Sequence, residues 1–150
     1  PHCADFHGKI YKSLKKEYIS LGKVKFEHVS FPLDLAALNA EKILQCGENS
    51  NTNFEFLTKL YKKQNEWAVG SNVDTINSSI KDVGKEFDLT EDVMNKCLID
   101  KSLEEKILNE RIEAQKNYKV RSTPTVYINE KKYEGKKDYK SLKEAIDKIL

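Results

Sequence analysis

Proline and glycine are scarce in this chain, three and six among 150 residues. That scarcity excludes collagen-like repeats, linkers and low-complexity tracts. No apolar run approaches the roughly 18 residues of a membrane-spanning helix. Neither charge sign dominates: 26 Lys and Arg stand against 24 Asp and Glu, a formal net charge of +2. So balanced a chain has no electrostatic mandate for nucleic acid, and no such partner is expected. Cysteine is limited to Cys3, Cys46 and Cys97, an odd number at wide spacing that lacks the clustered ligand pairs of a zinc site. His2, His7 and His28 do not complete one, so no metal is expected. Two partitions stay open on this count. Either Cys46 pairs with Cys97 and Cys3 stands apart, or all three are buried thiols in a reducing compartment.

What is present is enough to build a core. Hydrophobic residues make up 39% and charged residues 33%, too apolar for wholesale disorder. The length suits one domain, or a small domain carrying an insertion. The chain starts at Pro1 rather than Met, and so reads as a processed or truncated product.

Apolar periodicity predicts a helix over 4–21, with Phe6, His7, Ile10, Leu14, Tyr18 and Leu21 recurring at three- and four-residue steps until Gly22 stops the run. Lys23–Phe31 reads as a strand, ending at Pro32. Helical segments are then expected at 34–46, 53–68, 72–87, 91–99 and 103–117. Thr90 is a cap candidate, Ser102 with Glu105 forms a capping-box pattern, and Gly47 through Asn51 reads as a helix end and loop. Phe54, Leu57, Leu60, Tyr61 and Trp67 are assigned to core. Thr125–Asn129 and Lys132–Gly135 read as a hairpin about Asn129-Glu130-Lys131. A terminal helix follows, with Leu142, Ala145, Ile146, Ile149 and Leu150 on its apolar side. The order describes an α/β or α+β layer interrupted by an all-helical insertion.

Chemistry concentrates at the two ends. Pro1-His2-Cys3-Ala4-Asp5-Phe6-His7 places a cysteine in the first turn of a helix, where orphan N–H groups and the helix dipole favour a thiolate. Asp5 and His7 lie beside it as tuning candidates, and His28 reads as a core or edge histidine. Arg121-Ser122-Thr123-Pro124-Thr125-Val126 sets a proline at the start of a strand, a position it can occupy without breaking a ladder and a candidate for a cis bond.

Together these stretches resemble the thioredoxin superfamily, and within it the DsbA-like thiol–disulfide oxidoreductases with an inserted helical domain. Pro1-His2-Cys3 matches the last three residues of the family's Cys-Pro-His-Cys, and Ser122-Thr123-Pro124-Thr125 its cis-proline loop. The resemblance implies a thioredoxin-like α/β fold from 1–33 and 119–150, with a helical insertion over 34–118. The family's nucleophilic cysteine and its N-terminal strand would precede Pro1. A sheet lacking that strand would expose its neighbour, so a longer natural protein is inferred.

The implied activity is transfer of disulfides into exported proteins. Cys3 would be the partner of the upstream cysteine, His2 would favour the reduced form, and Pro1 would lie between them. Ser122, Thr123 and Pro124 would leave main-chain groups for a substrate segment. Some members carry a second, non-catalytic bridge, which Cys46 and Cys97 would form here. The redox-active cysteine pair would need no metal or organic cofactor. Cysteine-containing exported proteins and a membrane redox partner for reoxidation would be the partners, in a bacterial periplasm. An isomerase or reductase on the same fold, and a redox-inactive peptide-binding module, are the alternatives.

Overall fold

The structure is a computed structural model and describes residues 1–46 and 53–150. The chain divides into two compact units, Pro1–His28 with Val120–Leu150, and Val29–Lys119.

In the first unit, helix starts at His2. α1 (His2–Phe6) runs into a π-helical turn (His7–Tyr11), then α2 (Lys12–Leu14) and a second π turn (Lys15–Ile19). The two π turns were not anticipated from a regular three-to-four spacing. Gly22 ends the run with φ 67°, a left-handed conformation that suits glycine, and its N–H donates to the Ile19 carbonyl at 3.0 Å. Leu21 falls past the last helical turn and is exposed, not part of the stripe.

The strand expected over Lys23–Phe31 does not form: among the described residues no segment pairs with it. Extended chain without a hydrogen-bonded neighbour gains no ladder, and what remains is side-chain burial through Val24 and Phe26. The ladder of this unit is a hairpin. β1 (Tyr127–Ile128) pairs antiparallel with β2 (Lys131–Lys132), Tyr127 opposite Lys132 and Ile128 opposite Lys131. Asn129 and Glu130 both have positive φ, 46° and 64°, as a two-residue hairpin turn of the primed type requires.

α9 (Tyr139–Asp147) follows, capped by Asp138, whose carboxylate accepts from the Ser141 N–H. Leu142 and Ile146 meet Ile10, Leu14 and Tyr18 in the core of the unit. Ile149 and Leu150, expected on the apolar side, lie beyond the last turn and are exposed.

The second unit is helical: α3 (Leu35–Leu44), α4 (Asn53–Lys62), α5 (Gln64–Trp67), α6 (Val73–Lys85), α7 (Glu91–Ile99) and α8 (Lys101–Lys116). Thr90 caps α7 by accepting from the Val93 N–H. The cap of α8 is Asp100, accepting from the Leu103 N–H, rather than the Ser102–Glu105 box. Lys101 already opens that helix, so Ser102 lies inside it. The single helix expected over 53–68 breaks at Lys63 into α4 and α5, and the Trp67 indole donates to the Leu60 carbonyl at 2.8 Å. The helix end expected at Gly47 through Asn51 lies outside the described residues.

Ile43, Ile80 and Met94, all sealed from solvent, join Phe56, Leu57, Leu60 and Trp67 in the core of this unit. Each such side chain contributes about 1.5–3 kcal/mol on burial. Lys42 is 2% exposed within it. Its ammonium donates to the Leu98 carbonyl at 2.9 Å and to Glu104, meeting the condition that a buried charge be paired. The hydrogen bond from Lys42, followed by that from Lys101, holds the Glu104 carboxyl below its ordinary range. Among the described residues, no helix is long and apolar enough to cross a membrane.

Candidate active site

Pro1 is the N-cap of α1 and is exposed, as is His2. Proline fits a helix entrance, where a missing N–H costs no intrahelical bond. The Pro1 carbonyl accepts from the Asp5 N–H at 2.9 Å, closing the first turn around Cys3. Cys3 is half-buried and is a free thiol. The other two cysteines are joined: Cys46 and Cys97 form a disulfide with a Cα–Cα distance of 5.9 Å, wholly within the helical unit.

The neighbours of Cys3 have distinct roles. Asp5 is held by Lys9 one turn on, with 2.7 Å between Nζ and Oδ1, on the exposed face. His7 is buried, stacked on Tyr11 with ring centroids 4.4 Å apart, and its backbone N–H reaches back to the Cys3 and Ala4 carbonyls. Burial, and then the positive field of His28, push its imidazole down to about 4. At neutral pH His7 is therefore uncharged. His28 is exposed rather than a core histidine, and it acts on His7 through space.

At the far end of the chain, the Thr123–Pro124 peptide is cis. Ser122 is exposed, while Thr123 and Pro124 are half-buried. The loop is tied at both sides of the proline. Thr125 Oγ1 donates to the Ser122 carbonyl at 2.5 Å, and Lys137 Nζ to the Pro124 carbonyl at 2.5 Å. Thr123 takes part in no hydrogen bond among the described residues. Lys137 was invisible to the sequence reading. It sits in a lysine-rich turn, and only folding brings it to Pro124.

Phe6, one turn beyond Cys3, and Val126, two residues beyond Pro124, pack against the same core of Ile10, Leu14, Tyr18, Leu142 and Ile146. The two ends of the chain thus share one unit, and the disulfide belongs to the other. Among the described residues, no group of three or more His, Cys, Asp or Glu could hold a metal ion.

Comparison with known proteins agrees with this architecture. The thioredoxin family model matches residues 1–148. The chain is 28% identical over 159 residues to disulfide bond formation protein D of Bacillus subtilis, an alignment covering all of this chain and 68% of that protein. A Rickettsia bellii relative named as a protein-disulfide oxidoreductase is 27% identical over 150 residues, again all of this chain but 56% of the relative. The chain therefore spans little more than half of that relative's length. Among solved structures, alpha-DsbA1 of Wolbachia pipientis superposes with a TM-score of 0.84 at 27% identity, covering 99% of this chain and 79% of that one. A protein-disulfide isomerase from Novosphingobium aromaticivorans, at 22% identity and a TM-score of 0.73, shares the fold. With a family match over nearly its full length and a free cysteine at the start of its first helix, this chain belongs to the thioredoxin family and is DsbA-like within it.

Proposed function

We propose that this chain is the catalytic part of a thiol–disulfide oxidoreductase that introduces disulfides into exported bacterial proteins. The partition of its cysteines carries the reading. Cys46 and Cys97 are consumed by a bridge, and the thiol left over, Cys3, is half-buried in the first turn of α1. Its place in the first turn of the helix, beside unpaired N–H groups, suits the leaving group of a disulfide exchange.

In this reading a cysteine precedes Pro1 and forms the redox-active disulfide with Cys3. A substrate thiolate attacks the upstream sulfur, the bond to Cys3 breaks, and Cys3 leaves as a thiolate. A second substrate thiolate then attacks the mixed disulfide and releases the upstream cysteine. The substrate loses two electrons and two protons, and the cysteine pair gains them. His2 and Pro1, exposed between the two sulfurs, face the reaction, and a hydrogen-bonding or positive imidazole stabilises the reduced pair, making it a stronger oxidant. Thr123, flanked by Ser122 and Pro124, offers its main-chain groups to an extended substrate segment, a pairing of the β-augmentation type.

The chemistry runs on the cysteine pair alone, without metal or organic cofactor, and a membrane redox partner reoxidises it. The thioredoxin-like part comprises 1–33 and 119–150, and the helical insertion 34–118. A structural bridge such as Cys46–Cys97 persists in oxidising compartments, which supports a periplasmic location.

The test uses the full-length protein and a peptide carrying two thiols. Oxidation of the peptide by the oxidised protein is expected, with Cys3→Ser losing turnover and its remaining upstream thiol forming a mixed disulfide, visible on non-reducing electrophoresis, when it is mixed with the peptide in its disulfide form. Undiminished turnover by Cys3→Ser would overturn the reading. Reactivation of scrambled ribonuclease faster than dithiol oxidation would assign an isomerase instead, and absence of both reactions a redox-inactive binding module.

A further inference from the structure

The helical unit holds a cleft of mixed polar and apolar lining that the redox chemistry does not use. It lies among α3, α6 and α7 and has a volume of about 610 Å³, within the size range of ligand clefts. Each of the three helices contributes one asparagine to its lining: Asn39, Asn77 and Asn95.

Asn39 is the deepest of these, 6% exposed. Its Nδ2 donates to Asn77 Oδ1 at 2.9 Å, while its own Oδ1 accepts from none of the described residues. That oxygen is not sealed from solvent either, so it opens into the cleft. Being within reach of solvent, it can exchange a water for a donor that enters the cleft. Asn95 Oδ1 accepts from Lys81 Nζ at 3.0 Å. The amide NH₂ groups of Asn77 and Asn95 are then left without partners among the described residues. The cleft thus presents one open carbonyl and two open NH₂ groups.

Charge narrows the ligand class. Asp74 and Asp92 in the lining are matched in number by Lys81 and Lys96, and Lys81 is paired with Glu91, so the lining offers no free cluster of cations to hold an anion. Among the described residues, no aromatic face lines the cleft to stack on a sugar ring. Leu98 and Ile99 are the apolar residues of the lining, and Ile99 is 77% exposed. A side-chain amide is the same functional group as a peptide unit and pairs with its N–H and C=O at two points.

We propose that this cleft binds an extended, uncharged polypeptide segment through its main chain, with one apolar side chain resting on Leu98 and Ile99. That the segment belongs to an unfolded client protein rests on the redox reading. The preference for main-chain amides does not.

Titration of the full-length oxidised protein with a blocked, cysteine-free hexapeptide of alternating serine and valine, followed by NMR, tests the proposal. Saturable shifts are expected at the side-chain amides of Asn39, Asn77 and Asn95. Asn77→Asp and Asn95→Ala should each weaken binding roughly fivefold, as loss of one hydrogen bond implies, while Asn95→Gln retains most of it. Oxidation of a short dithiol peptide should be unchanged in all three variants. Shifts confined to 120–126, no saturable shift, or shifts of these amides with maltotriose but not with the hexapeptide would each overturn the proposal. Intact peptide binding in a protein that oxidises nothing would sink the redox reading alone.

Discussion

Cys46, just past the end of α3, and Cys97, near the end of α7, are covalently joined across 51 residues of chain, closing a loop that contains α4, α5 and α6. The Cys46 Sγ is also 3.5 Å from the Val93 carbonyl of α7. The bridge is thus a staple on a helical unit that already has its own core.

Its removal measures what the staple contributes. Loop entropy for that separation predicts a loss of about 4 kcal/mol when Cys46→Ala is combined with Cys97→Ala. Urea denaturation monitored at Trp67, which is buried in the same unit, is the measurement. An unchanged midpoint would show that the unfolded unit is already compact without the bond.

His7 predicts a stability that depends on pH. Its imidazole titrates near 4 in the folded chain, against an ordinary value of 6.5. Between those limits the unfolded chain binds more protons, so stability rises with pH across that window. The contribution is fully present above pH 6.5 and is lost as the pH falls from there toward 4, by about 3 kcal/mol in all. His7→Phe, which keeps a ring to stack on Tyr11, should flatten the stability profile between pH 4 and 6.5. An identical slope in the variant would assign the effect to other groups.

Gly84 sits on α6 where that helix presses on α7. A β-carbon there would lie 2.5 Å from Met94 Sδ and 3.5 Å from Ile43 Cγ2. Met94 is wholly buried, so its side chain must repack among its neighbours to make room. Gly84→Ala should therefore cost about 1–3 kcal/mol by overpacking. Combined with Met94→Ala, which vacates the space, the loss should be smaller than the two single losses added together. Strict additivity would mean that the helices shift apart instead.

The helical unit was legible because its signals are local. Thr90 caps α7 where it was expected to, and Leu57, Leu60 and Trp67 point into the core as their spacing implies. Phe56 escaped notice because it lies one residue off that stripe, on a face that becomes interior only when Phe87 stacks on it at 4.8 Å. The capping-box pattern at Ser102 misled because Asp100, two residues earlier, competes for the same role and starts the helix sooner. The strand over Lys23–Phe31 misled for a different reason. Alternation reports which side chains are apolar, whereas a strand exists only where a neighbour supplies its hydrogen bonds.

At the candidate site, Cys3 and Pro124 could be picked out from sequence, since a cysteine in a helix's first turn and a proline heading a strand carry their meaning in adjacent residues. The contacts of Pro124 could not: Lys137 reaches its carbonyl from 13 residues away. Nor could the neutral state of His7, which depends on burial beneath Tyr11 and on the field of His28, 21 positions along the chain.

Sequence by itself determined where this chain turns helical, which faces are apolar, and which three thiols are available, because propensity, capping and periodicity act over a few residues. Only the tertiary structure decided which of these thiols pair, Cys46 with Cys97, and which polar groups go without a partner among the described residues, the main chain of Thr123 and the Asn39 Oδ1 among them. Those outcomes depend on distances between residues far apart in the chain, and such distances exist only once a core has closed around them.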